Sequence, residues 1–331
     1  MRAYRYHRID VFTDRPFGGN PLAVFPTAQR MQPEEMQALA REMNLSETVF
    51  VLPPTKPKAI ARLRIFTIDR ELPLAGHPVV GAAFALAQNG GIEVHEGRNE
   101  VLFELGAGVL PVEIDVKDGK VETVFMTQQP PKFGQAFADA HALAAALSLP
   151  VDAIDLDLLT ARVVDTGIPW MLVPVRDARA LASVRADFGR CADLANRVGT
   201  DLWHAFTLDS GDPDCAVRTR HVWWGKVTPG EDPVTGSAIG CIASYLVGEG
   251  VLLAAPEAVV QIEQGQEVGR PGKVTARIAA SNGVVRRVQV GGRCVHVGNG
   301  EVWLPGSCSR EVVRSRIVSA AIADRGAAPR R

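Results

Sequence analysis

The sequence predicts a strand-dominated α+β fold built as two similar halves, each wrapping a strand-rich layer around one buried helix. Three observations point there. The chain has 331 residues, enough for about two domains at roughly 150 residues each. Most patterned segments are short and strand-like, and helical spacing occurs in few places. Finally, His77-Pro78-Val79-Val80-Gly81-Ala82-Ala83 echoes Asp232-Pro233-Val234-Thr235-Gly236-Ser237-Ala238 at a shift of 155 residues (77 to 232), with Pro, Val, Gly and the last Ala identical. Chance likeness of two helix starts competes with duplication as the explanation. Under duplication the boundary falls near Gln128 to Lys132. Residues 1–128 then form a first domain, residues 129–308 a second, and residues 309–331 a tail that is helical at first and disordered at its end.

In chain order, Arg5 to Thr13 nearly alternates and reads as a strand. After Pro33, the apolar residues Met36, Leu39, Ala40 and Met43 share one face at helical spacing. Ala59 to Thr67 alternates again. Leu72 to Ile92 carries no Asp, Glu, Lys or Arg, so a membrane span has to be weighed. Pro73, His77, Pro78 and four glycines interrupt it, leaving Val79 to Ala87, about 14 Å of helix against a bilayer core of roughly 30 Å. It reads as a helix buried in a soluble protein. Val109–Val116 and Val121–Thr127 flank Asp118-Gly119, a strong hairpin signal. Further on, Asp139 to Leu147 and Cys191 to Val198 have helical spacing. Strands are expected at Arg162–Asp165, Met171–Val175, Leu202–Leu208, Cys215–Val222, Val259–Glu263, Lys273–Ala280 and Val284–Val290.

Composition narrows the function. Lys plus Arg is 36 and Asp plus Glu is 37, a net charge of -1, so no polyanion-binding surface is implied and nucleic acid is a poor partner. No apolar leader stands in the first 30 residues, and the cysteines Cys191, Cys215, Cys241, Cys294 and Cys308 form no C-x-x-C pair. A cytoplasmic protein with reduced thiols is expected, with neither a metal knuckle nor a disulfide framework. Nucleotide-binding glycine loops, a nucleophile elbow and a zinc-protease helix are all missing from the sequence.

The two echoed segments carry the chemistry. Pro is favoured at the first position of a helix, which would set His77 and Asp232 at or beside the N-caps. A helix start presents unpaired N–H groups and about half a positive charge, and small residues in its first turn let an anion approach. Two such ends facing each other would bind a small anion. The bland alternative is a pair of well-capped structural helices with a satisfied core histidine.

Several motifs together resemble one family. They are Asp10-Val11-Phe12-Thr13, Gly19-Asn20-Pro21-Leu22-Ala23-Val24, Asn44-Leu45-Ser46-Glu47-Thr48, Leu74-Ala75-Gly76-His77-Pro78 and Glu231-Asp232-Pro233-Val234-Thr235-Gly236-Ser237-Ala238, with Gln264-Gly265 and Gly269-Arg270-Pro271. In this order they resemble the phenazine biosynthesis PhzF-like family, from about residue 7 to residue 305. The resemblance implies the diaminopimelate epimerase-like fold: two pseudo-symmetric domains, each a barrel-like, mostly antiparallel sheet around a central helix, with the active site between them. It implies a cofactor-independent isomerase, a homodimer, acting on a small carboxylate-bearing substrate. Glu47, His77 and Asp232 are the implied catalytic residues; Gly76, Pro78, Gly236, Ser237 and Asn20 are the implied substrate-binding residues. Neither metal nor cofactor is implied. The related epimerases carry a cysteine pair at the two helix starts, and this chain has none there, which favours a carboxylate-driven proton shift. An epimerase or racemase with a single carboxylate base, and a non-catalytic anion-binding protein, are the alternative readings. The chain departs from the family pattern at Phe66-Thr67-Ile68 and at Arg220-His221-Val222-Trp223-Trp224-Gly225.

Overall fold

A computed structural model describes residues 1–225, 230–254 and 256–305. In the first half, strands β1 (Arg2–Val11), β2 (Asn20–Phe25), β3 (Thr48–Leu52), β4 (Ala61–Phe66), β5 (Glu71–Leu72), β6 (Gly97–Leu105), β7 (Gly108–Lys117) and β8 (Lys120–Gln128) accompany helices α1 (Pro33–Met43) and α2 (Gly76–Gln88). The second half adds β9 (Lys132–Phe137), β10 (Ala161–Asp165), β11 (Pro169–Pro174), β12 (Trp203–Thr207), β13 (Val217–His221), β14 (Glu257–Gln264), β15 (Gly272–Ser281), β16 (Val284–Gly292) and β17 (Cys294–Leu304). Its helices are α3 (Ala140–Leu147), α4 (Ala178–Ser183), α5 (Phe188–Val198) and α6 (Gly236–Gly248). The proposed tail over 309–331 lies outside the described residues. The fold is α+β and strand-dominated.

Strand pairing shows the repeat more plainly than the sequence does. From β1 through β2, β3, β4, β6 and β7 to β8, neighbours pair antiparallel, parallel, antiparallel, parallel, antiparallel and antiparallel. From β10 through β11, β12, β13, β14 and β15 to β16 the same succession recurs. Two crossings are reciprocal: β9, which follows the first run, pairs with β10, and β17, which follows the second, pairs with β1. A further antiparallel pairing, β8 with β16, sews the runs into one sheet.

The two central helices are apolar all round, the pattern of a helix enclosed on every side. In α2 every residue from His77 to Ala87 is buried, and in α6 every residue from Ala238 to Val247. Both belong to one hydrophobic core that runs through the two halves. Outer helices each show one buried face: α1 covers Phe25, Phe50 and Phe66, while α3, α4 and α5 cover Met171, Trp203 and Ala205. No described helix is long and apolar enough to cross a membrane. The Asp118-Gly119 hairpin forms between β7 and β8, and both turn residues take positive φ, 52° and 70°, as a type I′ turn requires.

One expectation is corrected by the helix starts. Ala75 caps α2 and Thr235 caps α6, so neither Pro78 nor Pro233 occupies the first helical position, and neither His77 nor Asp232 is a cap. Pro78 is the third helical residue, where its missing N–H still costs nothing. Pro233 precedes its helix. The helices themselves, 13 residues each, align at an offset of 160 (76 to 236, 88 to 248), which matches Pro73 with Pro233, Gly76 with Gly236 and His77 with Ser237.

Candidate active site

The site is assembled from four short segments. Helix α1 ends at Asn44, whose left-handed backbone (φ 50°) reverses the chain. Leu45 is buried there, and Ser46 and Glu47 follow at the foot of β3, so the Glu47 side chain is only 12% exposed. Gly19 (φ 57°) makes the turn into β2, where any Cβ would lie 2.1 Å from the Val11 carbonyl. Only glycine fits, and it delivers Asn20 fully buried at the first position of β2. His77 enters as the second residue of α2, and Asp232 from the loop before α6.

Asn20 holds the two halves of the site together. Its amide donates to Asp232 Oδ1 at 2.8 Å and to the Val234 carbonyl at 2.8 Å, with His77 Nδ1 on the same nitrogen at 3.2 Å. Both amide hydrogens are taken by the shorter bonds and an amide nitrogen cannot accept, so His77 Nδ1 is bare and the ring's hydrogen belongs on Nε2. That Nε2 faces Glu47 Oε2 at 3.4 Å. Both atoms are buried and neither has a hydrogen-bond partner, so two proton-handling groups are aimed at one spot. Asp232 is the opposite case. Besides Asn20, it accepts from Ser46 Oγ at 3.1 Å and Thr235 Oγ1 at 2.7 Å. Gln264 fixes the backbone around it, donating to the Asp232 carbonyl at 2.8 Å and accepting from the Thr235 N–H at 2.9 Å.

Next to these groups, the starts of α2 and α6 abut. A Cβ on Gly76 would lie 3.5 Å from the Ser237 nitrogen and 3.7 Å from Gly236. Neither start has a side-chain cap or an acidic residue in its first turn. The contrast with the other helices is informative: Asp139, Asp177 and Asp187 cap α3, α4 and α5, and a capping box closes α1. The uncapped N–H groups thus lie where the fold brings two helix dipoles together, a setting that favours an anion. Trp170 Nε1 donates to Ser237 Oγ at 3.1 Å, which leaves the serine's own hydrogen free to donate.

Burial separates the two carboxyl groups chemically. It raises the Glu47 pKa well above the usual carboxylate range, and the Asp232 charge raises it further. Burial raises Asp232 too, while donors on Thr235, Asn20 and Ser46 pull it back down. Burial thus raises both carboxyls, Glu47 the more, and Asp232 alone has donors that favour its charged form. Burial lowers His77 to about 3, so its imidazole is neutral. An open cleft of about 840 Å³ lies elsewhere, lined by Asp212, Glu263 and Lys273 among others. Its acids are already engaged: Lys273 sits 2.6 Å from Asp212, and Ser210, Gly211 and Gln266 donate to Glu263.

Comparison with known proteins bears on this geometry. The sequence profile of the phenazine biosynthesis-like protein family matches residues 9–300. The chain belongs to that family. Among PhzF-like relatives, the trans-2,3-dihydro-3-hydroxyanthranilate isomerase of Pseudomonas aeruginosa is 33% identical, over 91% of this chain and all of that one. An isomerase of Mesorhizobium japonicum is 34% identical over 92% of this chain and 100% of its own. The crystal structure of a PhzF-family phenazine biosynthesis protein from Bacillus anthracis superposes with a TM-score of 0.83 at 28% identity, covering 92% of this chain and all of that chain. A hydroxyproline epimerase from Agrobacterium vitis shares the fold, with a TM-score of 0.60 at 17% identity over 92% of this chain and 94% of its own. This PhzF-like chain is accordingly an isomerase with a small-molecule substrate.

The fold gathers Glu47, His77, Asp232, Asn20, Gly76, Gly236 and Ser237 into one place. Pro78 is buried in the first turn of α2, where it shapes the helix. Sequence reasoning assigned no role to Ser46, Thr235 or Gln264, although each stands inside a motif already noted. His221 and Trp170 also touch the site, the first by accepting the Asp232 N–H at 2.9 Å; His221 stands in the segment where the chain departs from the family pattern, whereas no pattern in the sequence marks Trp170.

Proposed function

We propose that this isomerase shifts a proton within a small carboxylate-bearing substrate, with Glu47 as proton carrier and no cofactor. The substrate carboxylate lies between the starts of α2 and α6, taking the free N–H groups of Gly76, Gly236 and Ser237 and the Ser237 hydroxyl. Charged Asp232 orients a donor group of the substrate, and neutral His77 lines up the reacting carbon against Glu47. Glu47 as carboxylate takes a proton from one carbon, the C–H electron pair enters the adjoining unsaturated system, and the protonated Glu47 returns the proton to a second carbon. Nothing is oxidised or reduced. One observation carries this reading: Glu47 Oε2 and His77 Nε2 face each other at 3.4 Å, buried and unpartnered. An anion binder needs the helix starts but has no use for such a pair.

The test is Glu47→Gln, which keeps shape and hydrogen-bonding capacity but cannot carry a proton. With the compound that names the Pseudomonas aeruginosa relative, in deuterated water, the wild type should place deuterium on carbon. The variant should turn over at least about 100-fold more slowly, with little change in affinity. Near wild-type exchange by the variant would remove Glu47 from the mechanism.

A further inference from the structure

Three buried rings beside the site have no part in the proposed reaction. Trp170 on β11, His204 on β12 and His221 on β13 are at most 5% exposed. His204 and His221 are register partners, their imidazoles stacked at 5.6 Å and 22°. Trp170 lies nearly perpendicular to both, with ring centroids 4.9 and 5.8 Å away. This cluster reaches the site at two points, through the Trp170 bond to Ser237 and the His221 bond to the Asp232 backbone.

Hydrogen bonding fixes which ring nitrogens carry hydrogens. Thr219 Oγ1 donates its single hydrogen to the Ala205 carbonyl at 2.9 Å. Toward His204 Nδ1, at 3.0 Å, it can only accept. His204 is therefore the Nδ1–H tautomer, and its Nε2 is a bare acceptor, buried with no partner. His221 is the reverse: Nδ1 accepts from Asp232, so the hydrogen is on Nε2. Burial keeps both rings neutral, lowering His221 to about 4 and His204 well below its ordinary value, with His221 adding to the second shift. A buried acceptor left unpaired is costly, and a bound group that donates to it removes that cost.

We propose that His204 and His221 form a specificity subsite that reads a neutral hydroxyl on the substrate, away from its bound carboxylate. A hydroxyl satisfies both rings, donating to His204 Nε2 and accepting from His221 Nε2–H. An ammonium only donates and a second carboxylate only accepts, and two neutral imidazoles balance neither charge. This inference rests on the proposed function for where the carboxylate sits.

Isothermal titration calorimetry of the full chain with benzoate, 3- and 4-hydroxybenzoate and benzene-1,3-dicarboxylate tests it. The better hydroxybenzoate should bind about 10-fold tighter than benzoate, and the dicarboxylate weakest. In His204→Phe that ratio should collapse to about one, and His204→Gln, which restores an acceptor, should recover part of it. His221→Phe, which removes the donor, gives the same reading if the first variant does not fold by circular dichroism. A wild-type ratio near one, or a ratio unchanged in a folded Phe variant, overturns the subsite and leaves the carboxylate site standing. Should Ser237→Leu bind all four compounds as the wild type does, or should none bind the wild type, the carboxylate site falls and the subsite with it.

Discussion

At Asn20 one side-chain amide decides how two acids differ. It supplies a donor to Asp232 while making no bond to Glu47, an asymmetry that favours the charged form of Asp232 over that of Glu47. Asn20→Asp is nearly isosteric but sets a second carboxylate 2.8 Å from Asp232 Oδ1. Two like charges at that distance cannot both ionise, so a proton will be shared and Asp232 will titrate higher. The expected outcome is a loss of at least about 100-fold in kcat/KM at pH 7, partly regained at higher pH, with an unchanged circular dichroism spectrum. A flat profile at wild-type level would show that the Asp232 charge is not needed. Asn20, His77, Asp232 and Ser237 were legible in the sequence because each stands in a short motif with glycine or proline neighbours, while Glu47, in Asn44-Leu45-Ser46-Glu47-Thr48, was legible only through the family resemblance. What was not legible is the wiring. That Ser46 and Thr235 serve Asp232, or that His221 holds its N–H, depends on contacts between segments far apart in the chain.

The helix starts act as a unit because Gly76 allows them to approach. Gly76 has no positive φ, so alanine is tolerated by the backbone, and its methyl would make ordinary contacts at 3.5 Å or more. Replacing a helical glycine by alanine stabilises by up to about 1 kcal/mol. Gly76→Ala should therefore melt no lower than the wild type, yet bind small carboxylates at least about 10-fold more weakly, because the methyl stands against the Ser237 nitrogen and the Gly236 backbone. Calorimetry with benzoate beside a thermal melt checks both halves of the expectation; unchanged affinity would place the anion elsewhere. The same elements show why the sequence echo was read five residues out of register. Pro-Val and a later glycine recur in both segments, but Pro78, Val79 and Gly81 lie inside α2, whereas Pro233 and Val234 precede α6 and Gly236 opens it. The strand β17 was overlooked for a different reason. Gly298, Asn299 and Gly300 are poor strand formers, and pairing with β1 alone makes them extended.

Over the whole molecule, buried neutral groups set the response to acid. His77 is lowered to about 3, His221 to about 4, and His204 well below its ordinary value. A group with a lowered folded pKa stabilises above its unfolded pKa, near 6.5, and that stability is lost as pH falls. Glu47 and Asp232 are raised, so their contribution runs the other way and is lost as pH rises. Below about pH 6 the three imidazoles of the unfolded chain are mostly protonated and outweigh the two carboxyls, so unfolding takes up protons there and stability falls with pH. Urea midpoints should drop between pH 6 and pH 5. A midpoint that holds or rises would mean that these histidines are already charged in the folded protein.

The reciprocal crossings of β9 and β17 carry a consequence for how such a molecule could arise. A lone run with this pairing order ends in a strand that has no place in its own layer and begins with one whose flank is bare. It is both donor and acceptor of the same piece. Two separate copies would each lend a strand to the other and close both layers at once, the geometry of a strand-swapped dimer. The present chain holds that arrangement within one polypeptide, where each run is free to change alone. Hence the equivalent positions at the two helix starts hold a histidine in one and a serine in the other.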